Sequence, residues 1–307
     1  MRSVMFLFWG LGCGGTDASL RSDVVTANEP DPTVKPEPKP EPKPEVGAAV
    51  VLDDVRIAGL LEDAHAFSLL GTVVNPLLAE QIDAGTLLLG LEFRSVDDPE
   101  FQSDDDTSVG LYLLDDEDDD PTDNFDPERP ETFGLGPGAQ VDGEPVLHFV
   151  DASLTNGRLE ASGLGALELI GDAFPLPLSN LTISGDLTVQ DGTVRTLEDG
   201  RLRGALGMSL LALTPNPLGE NCGSGSLLDV LATGCGFFGL QPDEDIDGDG
   251  LERLFDDDDD GVIDRCVDGD DTEILGTDCP FNPAMADGYT LIFVITGVQA
   301  ELVAPTE

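Results

Sequence analysis

Short apolar runs separated by glycine, aspartate and asparagine recur along the chain from Gly47 onward, a pattern typical of strands joined by turns. Apolar and polar residues alternate over 181–189, which predicts a strand with one solvent-exposed face. Residues 289–295 are apolar on both faces, which predicts a central strand. The segments that fit a strand are 50–57, 86–93, 109–114, 146–150, 158–161, 167–170, 181–189, 194–197, 202–213 and 289–303.

Two short helices interrupt the strand pattern. One is predicted to begin at Asn75-Pro76, because asparagine can cap a helix and proline fits its first turn, and to end at Gly85. The other is predicted over 226–232, just before Gly234. The expected fold is therefore mainly β, an antiparallel β-sandwich or barrel-like domain with two short helices.

Acidic residues outnumber basic ones by 62 to 14, which gives the chain a formal net charge of -48 and an isoelectric point near 4.1. Such a surface repels phosphates and anionic lipid, so nucleic acid is excluded as an expected partner. The same surface attracts cations. At 40% hydrophobic residues, the chain still has enough apolar material for one large β domain or two smaller ones.

Residues 1–15 contain one arginine, an apolar run at 4–11 and the sequence Gly-Cys13-Gly-Gly. The apolar run is too short to span a bilayer as a helix. It resembles the apolar region of a secretory signal. The residues that lead to Cys13 resemble the lipobox of bacterial lipoproteins, which implies cleavage before Cys13 and acylation of that cysteine, although Gly10 replaces the usual aliphatic residue. Gly14 resembles the residue that follows the cysteine in lipoproteins sent to the outer membrane. An ordinary cleaved signal peptide is the alternative.

Residues 16–46 have no hydrophobic periodicity and contain a Lys-Pro-Glu-Pro repeat over 35–45. Proline at every second position fixes φ and removes backbone donors, which favours extended polyproline II. At about 3.1 Å per residue, the repeat would extend roughly 34 Å. We interpret 1–15 as signal and anchor, 16–46 as a disordered tether, and 47–307 as the β domain.

The segment from Asp245 to Asp256 carries the clearest chemical pattern. Carboxylates stand at positions 1, 3 and 5, glycine at 6 allows a sharp turn, the carbonyl of position 7 points inward, and a carboxylate at 12 closes the shell, as in calcium loops. Aspartate replaces the usual glutamate at position 12, as in dockerin modules, which the loop resembles. The ligands predicted on this pattern are Asp245, Asp247, Asp249, Leu251 through its carbonyl, and Asp256.

A second unit begins on the same aspartate. It would bind calcium through Asp256, Asp258, Asp260, the carbonyl of Val262 and Asp264, but Val267 stands at position 12. Back-to-back units of this kind near cysteines resemble thrombospondin type 3 repeats, and this resemblance implies calcium binding without catalysis. Equally acidic runs at 104–106 and 115–120 lack the glycine at position 6 and are interpreted as solvated loops.

The chain has five cysteines, and the odd one is accounted for if Cys13 is acylated. The other four allow three connectivities, and their equal local spacing of 13 favours the pairs Cys222–Cys235 and Cys266–Cys279. Zinc is the competing interpretation, but the short ligand pairs of zinc sites are missing. We expect residues 219–287 to form an insert before the last strand, ordered by calcium and disulfides because so long a loop cannot order itself.

Catalytic motifs are missing from the sequence: it contains two histidines, in apolar surroundings, and neither a nucleophile elbow nor a Walker loop. The preferred hypothesis is a non-catalytic, lipid-anchored, calcium-binding protein of the bacterial envelope. Its role would be structural or adhesive, with a protein or glycan partner not identified by the sequence. The alternative is an exported glycan hydrolase with structural calcium, which would require two carboxylates converging in a cleft outside the calcium loops.

Overall fold

The computed structural model describes residues 48–69, 71–141, 144–145, 147–164, 167–169, 176–216, 225–234, 239–258, 260–282 and 286–303. Cys13, the tether and the predicted Cys222–Cys235 pair lie outside the described residues.

The described strands and helices are numbered in chain order. The strands are β1 (Ala48–Ile57), β2 (Leu89–Arg94), β3 (Ser103–Asp116), β4 (Glu131–Leu135), β5 (Gln140–Val141), β6 (Glu144–Pro145), β7 (Leu147–Thr155), β8 (Arg158–Leu164), β9 (Leu167–Leu169), β10 (Leu176–Gln190), β11 (Thr193–Gly207), β12 (Arg253–Phe255), β13 (Arg265–Val267), β14 (Glu273–Leu275) and β15 (Gly288–Val303). The helices are α1 (Gly71–Asp83), α2 (Met208–Leu213) and α3 (Leu227–Thr233), with 3-10 helices at Ala66–Leu69 and Gly276–Phe281.

Eight of these strands close into an antiparallel barrel. The pairing runs β1, β2, β3, β7, β8, β10, β11 and β15, and β15 pairs again with β1. Strand β4 pairs with β3 and runs parallel to the end of β15. The predicted mainly β, barrel-like antiparallel fold is confirmed.

The barrel is held together by apolar side chains that alternate along its strands. Val50, Leu91, Phe149 and Phe293 are almost fully buried in one continuous cluster. Along β15, the neighbours of Phe293 on the opposite face belong to a small separate cluster, so this strand is buried on both faces. The prediction that 289–295 forms a central strand is confirmed because β15 lies between β1 and β11.

The two helix predictions had different outcomes. Helix α3 follows Ser226, which caps it through the backbone N–H of Asp229, and it ends at Gly234 with φ 72°. The predicted start of the first helix was wrong, because α1 begins at Gly71 and Asn75 lies inside it. The Asn75 side chain bonds instead to the backbone N–H and carbonyl of Ile57 at the end of β1.

The prediction of a strand over 202–213 was also wrong in its second half. Strand β11 ends at Gly207, and α2 follows it directly. Met208 and Leu211, three residues apart, are both buried on one side of this helix. A short apolar run fits a buried strand and a buried helix equally well, which explains the error.

The chain leaves β11 through α2 and then enters the insert. The described part of the insert contains α3 and a separate three-stranded antiparallel sheet of β12, β13 and β14. The predicted disulfide between Cys266 and Cys279 is present, with both cysteines fully buried and their Cα atoms 5.9 Å apart. It connects β13 to the 3-10 helix that follows β14. Within the described part of the chain, none of the helices has the length and apolar character needed to cross a bilayer.

Candidate metal centre

The first calcium-type loop is fixed at its start to the beginning of the last barrel strand. Glu244 and Gly288 exchange backbone hydrogen bonds of 3.1 and 3.0 Å. The Asp243 carboxylate accepts a bond of 2.7 Å from the backbone N–H of Thr290 in β15. These contacts place the loop beside Asp287, the residue immediately before β15.

The loop adopts the tight conformation that its glycines permit. Gly250, at position 6 of the pattern, has φ 114°, a conformation that residues with a side chain rarely adopt. The backbone N–H of Gly248 donates to Asp245 Oδ1 at 2.6 Å, and that of Asp249 donates to Asp247 Oδ1 at 3.3 Å. The carboxylates of Asp245 and Asp247 therefore accept hydrogen bonds from the loop's own backbone.

Five carboxylates meet at this loop, and together they are called the first acidic cluster. Its members are Asp245, Asp247, Asp249, Glu252 and Asp287. They form two overlapping groups of three, in each of which one oxygen per residue lies within 4.8 Å of the others, and Asp247 belongs to both groups. Oxygens on opposite sides of a calcium ion are about 5 Å apart, given bonds of about 2.3 to 2.6 Å, so both groups have the dimensions of a calcium shell.

Glu252 is the most unusual member of the cluster. Its side chain is fully buried, yet neither carboxylate oxygen has a hydrogen-bond partner in the described structure. Burial, and then the neighbouring Asp287, raise the pKa of Glu252 to about 9. A buried carboxylate without a donor is costly, and proteins usually pair such a group with a cation or a metal.

Asp287 brings a second buried carboxylate to the cluster from outside the loop. It is fully buried, and it accepts backbone hydrogen bonds from Ile246 at 3.0 Å and from Glu252 at 2.9 Å. One carboxylate thus holds the loop at Ile246 and at Glu252 against the start of β15. The same carboxylate groups with Asp245 and Asp247.

The second acidic cluster consists of Asp256, Asp258 and Asp260, also within 4.8 Å of one another. It is more exposed than the first cluster, and its carboxylates accept hydrogen bonds from the backbone of their own loop. For example, the backbone N–H of Gly261 donates to Asp256 at 2.9 Å. The adjacent Asp260 raises the pKa of Asp258. Asp264 accepts from the backbone N–H of Asp257 at 2.8 Å and is not in this group.

The contiguous pattern therefore identified part of the first cluster. Asp247 groups with Asp245 in one set of three and with Asp249 in the other, whereas Asp256 groups with the second cluster among the described residues. Glu252 and Asp287 were missed. The carbonyl roles of Leu251 and Val262 stay predictions. An acidic residue between Leu251 and Arg253 was a weak signal for Glu252, and Asp287 carried no signal because it is distant in sequence.

The arginines near the insert do not neutralise either cluster. Arg253 pairs with Asp271 at 2.6 Å, and Arg265 pairs with Asp257 at 2.7 Å while lying over the ring of Phe255. In the part of the chain that the structure describes, no salt bridge reaches a carboxylate of either cluster. The clusters thus combine strong negative charge with no cation from the protein.

Two concavities outside the acidic clusters contain carboxylates, which a hydrolase would need. The first, a cavity of about 400 Å³ between α2, α3 and residues 262–263, contains Asp229. The Asp229 carboxylate accepts hydrogen bonds from Ser226 and from the backbone N–H of Ile263. A depression of about 370 Å³ on β7, β8 and β10 has Asp151 and Glu160 among its lining residues, both exposed.

Comparisons with protein families, with curated proteins and with solved structures find no match to this chain.

Proposed function

We propose that this protein is a non-catalytic, lipid-anchored protein of the bacterial envelope in which calcium orders the insert. The observation that carries the calcium assignment is Glu252, a fully buried acidic side chain whose oxygens have no hydrogen-bond partner and which groups with Asp247 and Asp249. A divalent cation would satisfy its oxygens and offset the repulsion among its neighbours.

Calcium fits the first cluster better than other common metals. Every side chain in the cluster offers oxygen, which hard cations such as calcium and magnesium prefer, and neither histidine nor cysteine is among its members. The two overlapping groups offer more carboxylates than magnesium usually takes from protein, because magnesium keeps several waters. The proposal does not rest on the second cluster, whose carboxylates are exposed and bonded to their own loop.

The anchor and tether complete the proposal. Acylation of Cys13 would attach the chain to the outer membrane, and residues 16–46 would hold the β domain away from the surface. A disulfide between buried cysteines is consistent with an exported protein. Its partners would be calcium and a protein or glycan of unidentified type, with membrane contact through the lipid alone.

A non-catalytic role is supported by the state of the carboxylates outside the insert. In the shallow depression, Asp151 and Glu160 are exposed and stand on an open sheet face instead of an enclosed cleft. Hydrolysis of a glycan panel by the wild-type protein, abolished by Asp151→Ala or Glu160→Ala, would instead favour the hydrolase alternative.

Calorimetric titration of calcium into the chelator-treated protein tests the calcium assignment. We expect binding heat in the wild type and its loss in an Asp245→Ala, Asp249→Ala double variant. The matched control is Asp105→Ala, Asp106→Ala, which removes the same charge from exposed residues of β3 and should leave binding unchanged. Absence of heat in the wild type, or equal heat in both variants, would refute the assignment.

Metabolic labelling with a fatty-acid analogue tests the anchor. The full chain expressed with its leader should incorporate the label, and Cys13→Ser should not. If the wild-type chain is secreted without label, the ordinary signal peptide is the correct interpretation of residues 1–15.

A further inference from the structure

Asp287 connects the first acidic cluster to the barrel, because it is the residue directly before β15 and outside the calcium-type loop. We propose that the cation bound by Asp245, Asp247 and Asp287 acts as a clasp between insert and barrel, so that calcium controls whether the loop stays docked on the start of β15. This inference rests on the proposed function, since it assumes that the cluster binds calcium.

The position of Asp287 provides the first argument. Strand β15 pairs with β11 from Gly288 onward and with β1 from Phe293 onward, so its first residues are fixed by the barrel. Asp287 is bound to the barrel in the same way, because its carbonyl accepts a bond of 3.0 Å from the backbone N–H of Met208, directly after β11. Asp245 and Asp247, by contrast, are exposed residues of the insert. A cation shared by these three residues would join the two parts of the molecule.

The charge balance provides the second argument. Asp287 and Glu252 are both fully buried, and each contributes to one of the two groups that contain Asp247. Without a cation, bringing the loop against β15 places the buried Asp287 carboxylate beside Asp245 and Asp247. Like charges at this separation oppose docking, whereas a divalent cation reverses the sign of the interaction.

The remaining contacts at this junction explain why calcium would change docking and leave the insert attached. Glu244 and Gly288 exchange neutral backbone bonds, Arg203 of β11 pairs with Glu244 at 2.7 Å, and the Tyr289 hydroxyl donates to the carbonyl of Leu240 at 3.0 Å. The insert residues in these contacts, Leu240 and Glu244, lie before the loop in sequence. The loop itself is held to the barrel by Asp287 through its bonds from Ile246 and Glu252.

The test is hydrogen exchange of the full chain with calcium and with chelator, combined with calorimetry on the same samples. The Gly288 amide, bonded to Glu244, is the internal reference that should not change. The amides to follow are those of Ile246 and Glu252, which donate to Asp287. With calcium at ten times its dissociation constant, we expect exchange of these amides to slow about tenfold, because binding multiplies the population of the closed state by that factor.

Two variants distinguish the clasp from the contiguous loop pattern. Asp287→Asn keeps the shape of the side chain and should weaken calcium binding by at least about tenfold and remove the slowing. Asp256→Asn is the matched control. The loop pattern assigns Asp256 to the same ion as Asp245, whereas in the structure Asp256 groups with Asp258 and Asp260. This variant should leave calcium binding and amide exchange at the first loop unchanged.

The possible results separate the two proposals. If the wild type binds no calcium, both proposals are wrong. If calcium binds but the Ile246 and Glu252 amides exchange at the same rate with and without it, the clasp is wrong and the proposed function stands. Loss of the slowing in Asp256→Asn but not in Asp287→Asn also overturns the clasp. If Asp287→Asn does not fold, the wild-type comparison alone decides.

Discussion

The barrel and the insert share apolar burial, but the insert also depends on a disulfide and on carboxylates. Phe93, Phe149 and Phe293 of the barrel are at most 1% exposed, and the apolar cluster to which they belong continues into the insert through residues such as Leu254 and Ile263. The insert has short strands of three residues, a buried disulfide and two acidic clusters. Apolar burial hardly depends on ions or redox conditions, whereas carboxylate clusters and disulfides do. We therefore expect calcium and redox conditions to change the stability of the insert and to leave the core of the barrel unchanged.

The comparison predicts its largest effect inside the barrel. Phe293→Ala should lower the free energy of unfolding by about 3 to 5 kcal/mol, because it leaves a cavity in the centre of β15. Chemical denaturation should give the same loss in calcium and in chelator. The control Phe281→Ala changes an aromatic residue of the insert that is 51% exposed and should cost about 0.5 kcal/mol or less. A calcium-dependent loss in Phe293→Ala would break the separation of the two regions.

Removal of the disulfide should have the next largest effect, confined to the insert. A Cys266→Ala, Cys279→Ala variant should destabilise the insert by about 3 kcal/mol, on the chain-entropy relation for a loop of this length. Hydrogen exchange should accelerate in β13 and in the 3-10 helix Gly276–Phe281, while the centre of β15 keeps its protection. Equal acceleration in β13 and the centre of β15 would show that insert and barrel unfold as one unit.

Calcium itself should give a smaller gain. With free calcium at one to ten times the dissociation constant, one site adds about 0.4 to 1.4 kcal/mol to the free energy of unfolding. Glu252→Gln should lose this gain without lowering the stability of the metal-free protein, because it replaces a buried carboxylate that lacks a partner.

Thermal unfolding of Glu252→Gln with calcium and with chelator measures both quantities. The control is Glu301→Gln, which removes the same charge from an exposed position near the end of β15. It should keep the calcium gain. A metal-free Glu252→Gln protein that is markedly less stable than the wild type would mean that Glu252 already has a stabilising partner.

The parts of the fold that follow local rules could be predicted from the sequence. Strands with apolar alternation, such as β10, and the capped helix α3 have their signals within a few neighbouring residues. The sequence could not predict the parallel pairing of β4 with β15, because it joins residues more than 160 positions apart. Residues 208–213 were assigned wrongly because the burial of Met208 and Leu211 on one side depends on tertiary packing.

The candidate site divides in the same way. Asp247 groups with Asp245 and, separately, with Asp249, and this proximity follows from their spacing in one loop and from the glycine at position 6. The convergence of Asp287 depends on the backbone bonds between Glu244 and Gly288, which no local pattern encodes. Glu252 is buried by the docking of the loop, and its spacing gives no sign of that burial.

The smallest predicted effect concerns a carboxylate at the edge of the barrel that does have a cationic partner. Arg56, in β1, donates two hydrogen bonds of 2.7 Å to Glu62, and these lower the pKa of Glu62 from its ordinary value near 4.5 to about 2. A carboxylate with a lowered pKa stabilises the folded state above pH 4.5, and this contribution is lost as the pH falls toward 2. Because both side chains are more than one-third exposed, Glu62→Gln should cost less than about 1 kcal/mol.

Denaturant titrations across pH test the sign of this contribution. The stability difference between wild type and Glu62→Gln should be constant above about pH 5 and shrink between pH 4.5 and 2, because the wild-type carboxylate then becomes neutral like the amide. The control is Glu80→Gln on α1, which replaces an exposed carboxylate with no salt bridge among the described residues and should change the stability by about 0.5 kcal/mol or less. A pH-independent difference for Glu62→Gln would mean that the variant acts through packing. The ion pair at the barrel edge would then contribute nothing to the free energy of unfolding. Carboxylates would in that case affect stability in the insert alone.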